Sequence, residues 1–345
     1  MMAGRLQIFL KKTRRCQMGF LVAAILCLLV FLLLLFSLND KEGAFEAIYH
    51  APYQLEVPIS RQGLTHLDIE SSNVTLELGM ADDIHKPVVQ LFGKGYKEQS
   101  VKIDLKDTKC HIALKDVGKS TPQALTMRVL LPQSNLHEVK INGQLLNLHV
   151  EHLRASKLVA NVDKGYVAII DTKGNHLKVK TVSAPVRLSH NRMTFVETDT
   201  EKGSSTFIEN HMNYLEAHSE QGSQFLYQRW LNKHYELNSQ KGDVTVLSQY
   251  LPYNIFIDAQ TTRKGSVSMR YQTRFWKEAL ETENNKHTYI GSVGGDTKHL
   301  LICKSESGHI DIGPRERYSP LDPFAKDYPF AAENPYRQER ATYTK

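Results

Sequence analysis

Apolar and polar residues alternate along most of this chain beyond its first sixty or so residues, and the alternation restarts at a fixed interval. Around a central small residue one template returns, with apolar or small side chains seven and five positions before it and two and four after. Leu158 and Ala160, Leu177 and Val179, Val196 and Thr198, Leu215 and Ala217, and Tyr235 and Leu237 fill the earlier slots. Val167 and Ile169, Val186 and Leu188, Val244 and Val246, and Val267 and Met269 fill the later ones. Phe207 and Leu226 keep the last slot, although Ser205 and Gln224 occupy the one before it. The centres are Gly165, Ala184, Gly203, Gly222 and Gly242, at steps of 19, 19, 19 and 20 residues, followed by Gly265 and Gly308. Period-two alternation on both sides of a break predicts strand, turn, strand. A fixed repeat of this length predicts stacked coils, because a lone coil cannot bury its inner face. The expected fold class is all-β: a single-stranded-coil β-solenoid, turned at Gly165, Gly203, Gly222, Gly242, Gly265 and Gly308.

Outside the regular repeats, assigned to 156–313, the pattern loosens. Residues 65–155 read as an N-terminal β cap or as first irregular coils. Within them Leu67-Asp68-Ile69 turns through Ser71-Ser72-Asn73 into Val74 to Leu78, which reads as a compact strand pair. A cap is required physically, since an open end exposes unpaired strand edges. Gly265 and Gly308 are 43 residues apart, room for an insertion or two imperfect coils, and Arg274 to Leu280 reads as helix. From Pro314 onward, five of the twelve prolines fall in the last 32 residues, a composition expected of an extended, disordered tail over 314–345.

The longest apolar run, Met18 to Leu38, has 21 residues and no charge. A helix of that length reaches about 30 Å, the thickness of a hydrocarbon core. Arg5, Lys11, Lys12, Arg14 and Arg15 precede it without an acid. The expectation is a cytoplasmic basic tail (1–17), a transmembrane helix (18–38) that contacts membrane lipid, a spacer (39–64), and an extracytoplasmic domain in the cell membrane's single-pass topology. A cleaved signal peptide is the alternative, but its apolar region is shorter and ends in small residues, unlike Phe36-Ser37-Leu38.

This changes the meaning of the charge. The chain carries +6, but without the five bases before the anchor it has 38 bases against 37 acids. The excess belongs to topology, and no nucleic-acid partner is expected. Cys16 and Cys27 fall at or in the apolar run. Cys110 and Cys303 are the exported pair, either joined as a disulfide or separately buried as small apolar residues.

Two units, Tyr235 to Val246 and Leu301 to Ile312, with Gly291-Ser292-Val293-Gly294-Gly295 ahead of the second, carry a family likeness. They resemble the repeated unit of the “putative-adhesin” β-solenoid domain of bacteria, over about residues 65–313. The resemblance implies a cell-surface setting and a non-enzymatic adhesion, binding or envelope-scaffold role. The alternative it leaves is an envelope-stress sensor or regulator docking another membrane protein. It implies no catalytic residues and no cofactor.

Candidate chemistry lies on the outward columns of the stack. Glu197, Glu216 and Glu236 fall in line on neighbouring strands, beside Asp199. Like charges so placed repel, and calcium bridging Glu197, Asp199 and Glu216 would offset this; the plain alternative is a solvated polar ladder relieved by Lys178. Tyr214, Tyr227, Trp230, Tyr250 and Tyr253 could stack on a glycan partner, or serve as edge packing. Aligned carboxylates also suit a polysaccharide-degrading enzyme, but any such ladder supplies that spacing, and no nucleophile elbow, phosphate loop or His-Glu-x-x-His accompanies it. Asn73-Val74-Thr75 is a glycosylation sequon relevant only to a eukaryotic secretory route.

Overall fold

A computed structural model describes residues 53–56, 63–82, 84–93, 101–114, 125–262, 265–271, 277–283, 286–293 and 298–315. Among these, no helix is long and apolar enough to cross a membrane; the run 18–38 lies outside them, as do the basic tail and residues 316–345. In chain order the strands begin with β1 (Tyr53–Glu56), β2 (His66–Ser71), β3 (Val74–Ala81), β4 (Val88–Gly93), β5 (Val101–Lys106), β6 (Lys109–Leu114) and β7 (Leu125–Pro132). Two long strands, β8 (Leu136–Glu151) and β9 (Ala155–Ile170), follow. Then come β10 (His176–Thr181), β11 (Val186–Ser189), β12 (Arg192–Thr200), β13 (Ser205–Ile208), β14 (His211–Ser219), β15 (Gln224–Trp230), β16 (His234–Ser239) and β17 (Val244–Tyr250). The last are β18 (Ile255–Thr261), β19 (Val267–Met269), β20 (Lys277–Glu283), β21 (Lys286–Val293), β22 (His299–Ser305) and β23 (Ile310–Pro314).

Each repeat contributes one strand to each of two parallel sheets. The first sheet runs β6, β2, β8, β9, β10, β12, β14, β16, β22, β18 in space. The second runs β7, β3, β8, β9, β11, β13, β15, β17, β23, β19. β8 and β9 pass through both sheets. The expected inner slots form buried columns: Leu158, Leu177, Val196, Leu215, Tyr235, Leu301 and Ile257 in one sheet, Val167, Val186, Ser205, Gln224, Val244 and Ile310 in the other.

The turn glycines line up, but not in sequence order. A Cβ added at Gly222 would overlap the Gly203 carbonyl, one at Gly242 that of Gly222, one at Gly308 that of Gly242, and one at Gly265 that of Gly308. The C-terminal coil, β22 and β23, is therefore threaded between the coil of Gly242 and the coil of Gly265. The N-terminal end does the same: β2 and β3 enter between β6–β7 and β8. The expected strand pair β2–β3 is thus no hairpin. Its two strands belong to opposite sheets and pair with other coils, so 65–155 supplies rungs of the stack.

Antiparallel strands cover the ends. β5 closes the first sheet against β6, and β4 and then β1 extend the second beyond β7. Tyr53–Glu56 thus makes a strand within the stretch read as spacer. At the other end β21 pairs with β18, and β20 with β21. This corrects the helix expected over Arg274 to Leu280: Lys277 to Leu280 is strand, and 274–276 lie outside the described residues. Lys-Glu-Ala-Leu favours helix intrinsically, yet here it pairs with β21 residue for residue, and tertiary pairing outweighs propensity.

Two polar columns lock the corners. Three or four residues before the turn, buried hydroxyls bond the turn backbone of their own or the adjacent coil. Ser239 Oγ donates to Gly222 O (2.9 Å) and accepts from Gly242 N (2.8 Å); Ser305 repeats this with Gly242 O and Gly308 N. Thr200, Ser219 and Thr261 occupy the equivalent place. At the opposite corner His152, Asp171, His190 and Glu209 all have φ between 45° and 58°, at 19-residue intervals. Left-handed backbone is uncommon outside glycine, and at Asp171 and His190 it is held by buried Asn191 and Asn210. Asn191 Nδ2 donates to Ile169 O (2.8 Å) and Asn210 Oδ1 (3.0 Å), while Asn210 Nδ2 donates to Leu188 O (2.8 Å).

Cys110 and Cys303 are both buried and both free thiols. Seven strands of the first sheet stand between β6 and β22, roughly 38 Å at about 4.8 Å per strand, so no disulfide joins them. Burial pushes the Cys110 thiol up to about 11, with Asp104 adding to it, and raises Cys303 further. Thr75 of the sequon is itself buried in β3.

Candidate functional site

Alternation along the strands of the first sheet sends every second side chain outward, and the parallel register stacks these into columns. Eight positions before the turn the column reads Lys157, His176, Phe195, Tyr214, His234 and Leu300, with Phe256 completing it on β18. Two residues further along each strand it reads Lys178, Glu197, Glu216 and Glu236, and then Ile302 and Asp258. Phe195 is 46% exposed. This puts an aromatic stripe beside an acidic one across several rungs.

The acidic stripe is partly neutralised by its own sheet. Glu197 is paired with Lys178 and with His176 Nε2 (2.9 Å). The hydrogen bond from Lys178, and then that from His176, holds its carboxyl below the ordinary range against the opposing effect of burial. Asp199 faces Lys180 (3.6 Å), and Asp199 and Glu216 lie beside different neighbours, His218 and Glu197. Among the described residues, no three His, Cys, Asp or Glu side chains form a group able to hold a metal ion. Within the ladder, Lys178 relieves Glu197 and Lys180 faces Asp199, while Glu216 lies beside Glu197. Glu236 accepts from Asn238 Nδ2 (2.8 Å) and lies 3.9 Å from His234 Nε2. A second charged cluster, Glu138 with Lys157 (2.9 Å) and Lys140 (3.2 Å), marks the basic end of the face.

The rings stack on one another. Phe195 and Tyr214 are parallel within 10° at 4.6 Å, and Trp230 and Tyr250 lie 4.5 Å apart at 27°. Tyr227 is covered by the Arg315 guanidinium, 3.9 Å from its centroid, which also pairs with Glu209. Of the five aromatics singled out in the sequence, four thus spend a ring face on a neighbour, and Tyr253, 76% exposed, stands in the link before β18. Stacked ladders present ring edges outward, whereas a sugar ring packs on an open face. Edge packing thus describes four of the five rings, and Tyr253 stays open to solvent.

Phe195, His176, His234, Leu300 and Phe256 were not singled out from the sequence, although four of them share one slot eight positions before the turn. The signal was the repeat itself, read at an outward position and not only at the inner ones. The hydroxyl column was equally visible as Ser or Thr three before glycine.

Similarity to known proteins extends over this whole stack. Residues 64–313 match the Toastrack DUF4097 family. No curated protein matches the chain. Among solved structures it is similar to a “putative lipid binding protein” from Parabacteroides distasonis, with 13% identity over 77% of this chain and 97% of that one, at a TM-score of 0.44. It is also similar to a “putative adhesin” from Bacteroides fragilis (13% identity, 76% and 97% coverage, TM-score 0.38) and to another from P. distasonis (10%, 75% and 96%, 0.40). With the family matched from the first inward coil to the last, this chain belongs to the Toastrack DUF4097 family.

Proposed function

We propose that this chain is a single-pass membrane protein whose solenoid stands outside the cytoplasm as a non-enzymatic binding or adhesion module. Met18 to Leu38 would contact lipid, and the outer face of the first sheet would meet a protein partner. One observation carries the binding reading: an aromatic stripe with a 46% exposed Phe195 runs unbroken over adjacent rungs of a stiff sheet. Exposed rings aligned across a rigid surface are costly in water and are what a partner covers. The test is in-cell crosslinking of the full-length chain in native membranes, comparing wild type with Phe195→Ser. The expected result is a carbonate-resistant, externally protease-sensitive protein whose crosslinks disappear in the variant. A chain released by carbonate, or crosslinks indifferent to Phe195, overturns the proposal. A partner that is itself a membrane protein and needs the anchor in cis would favour the sensor or regulator reading instead.

A further inference from the structure

We infer that the outer face of the first sheet, along its adjacent aromatic and acidic stripes, docks a cationic amphipathic helix lying along the stack axis, across the strands; this rests on the binding face proposed above. Phe195, Tyr214 and Leu300, with the His234 ring between the last two, form the aromatic and apolar line, and Glu197, Glu216 and Glu236 run beside it two residues along each strand, roughly 6.6 Å away. Glu197 is engaged by Lys178 and His176. Glu216 is exposed and has no hydrogen bond or ion pair among the described residues, and Glu236 accepts one amide and lies 3.9 Å from His234 Nε2. Two carboxylates thus keep capacity for incoming cations. The chain already places one there itself: Lys233 Nζ lies 5.9 Å from the Tyr214 ring centroid, within cation–π range.

Spacing selects the helix. Its pitch of about 5.4 Å follows a rung spacing of about 4.8 Å with a drift near 2 Å over three steps, within the reach of a side chain. An extended peptide repeats every ~6.8 Å on one side and loses register by about 2 Å at every rung. The outward ring edges accept Leu-like side chains, while Lys or Arg on the helix flank reach Glu216 and Glu236.

The test uses the full-length chain in zwitterionic nanodiscs, with empty discs subtracted, and fluorescence anisotropy of a Leu/Lys peptide about four turns long. The control peptide has the same composition in strict alternation. The amphipathic order should bind more tightly. Glu216→Gln with Glu236→Gln should weaken it roughly fivefold at low salt, as two exposed pairs predict, and flatten its salt dependence. Phe195→Ser should weaken it at every salt concentration. Equal binding of the two peptides, an unaffected double variant, or no binding to wild type overturns the helix assignment. If peptide binding fails while Phe195→Ser still removes the membrane crosslinks, the binding face stands without the helix; if the crosslinks persist, both fall.

Discussion

Gly222→Ala is the sharpest probe of the stack. The added Cβ would overlap the Gly203 carbonyl and come within 2.8 Å of Ser204 N. Both are backbone, and neither is free to move. Gly222 N accepts no slack because it donates to Ser219 Oγ (2.7 Å), while Gly222 O receives Ser239 Oγ from the next coil (2.9 Å). Relief requires lifting one coil off the other at the corner, loosening those bonds. Overpacking a tight interior costs typically 1–3 kcal/mol, and the pinned backbone places this case at about 2–3 kcal/mol. At about 2–4 °C per kcal/mol for a domain of this size, the melting temperature should fall by roughly 4–12 °C. Thermal unfolding of the full-length chain in mild detergent, followed by far-UV circular dichroism, reads it. Ala184→Gly is the internal control. Ala184 already occupies the same column, above Gly165, the one glycine of that column held at positive φ (118°) inside the continuous strand β9. Its loss should cost no more than about 1 kcal/mol. If Gly222→Ala melts with wild type, the close approach of coils is not what selects glycine there.

Ser239→Ala should orphan Gly222 O and Gly242 N together and cost about 1–3 kcal/mol, whereas Ser239→Thr should recover most of it, since Thr200 fills the same place; urea denaturation separates the two. Asn191→Leu should cost a similar amount, because it releases the corner backbone at Ile169 and Thr172; hydrogen exchange at Asp171 to Arg192 should accelerate first. Folding lowers the Glu197 carboxyl pKa, so its contribution is complete above about pH 5 and fades as the pH falls through the folded value. A half-exposed pair is worth only about 0.2–1 kcal/mol, and Glu197→Gln should show that deficit at neutral pH and lose it as the pH falls through the folded value. Cys110 and Cys303, buried with raised pKa, should resist iodoacetamide at pH 8 until denaturant is added, and mass spectrometry should never find them joined. Early labelling of Cys303 would contradict its place inside β22.

The inner columns were legible because burial repeats with the backbone: Leu177, Val196 and Leu215 had to face one way once the turns were set. The order of coils was not. A repeat identifies which segments are equivalent, but Gly265 and Gly308 carry the same local pattern, and nothing local says that the later one lies nearer Gly242. The antiparallel strand at Lys277 was hidden for a related reason, since its partner edge on β21 exists only after folding. The aromatic stripe was half visible. Tyr214 drew notice by type, whereas Phe195, its stacking partner, needed the register to be compared at an outward slot. The acidic ladder and its relief by Lys178 were legible in the register, whereas His176, the second partner of Glu197, comes from an outward slot of the preceding coil that was not compared.

The threading of the last coil decides how this protein would tolerate being cut. Trimming from the C-terminus does not shorten the rod at its tip: a chain ending before His299 would keep both flanking coils and lack the one between them. Two long parallel edges would then face a gap one strand wide, near 9.6 Å between β16 and β18. Exopeptidase erosion should accordingly stall at the domain and then, past that point, destroy its whole distal end at once.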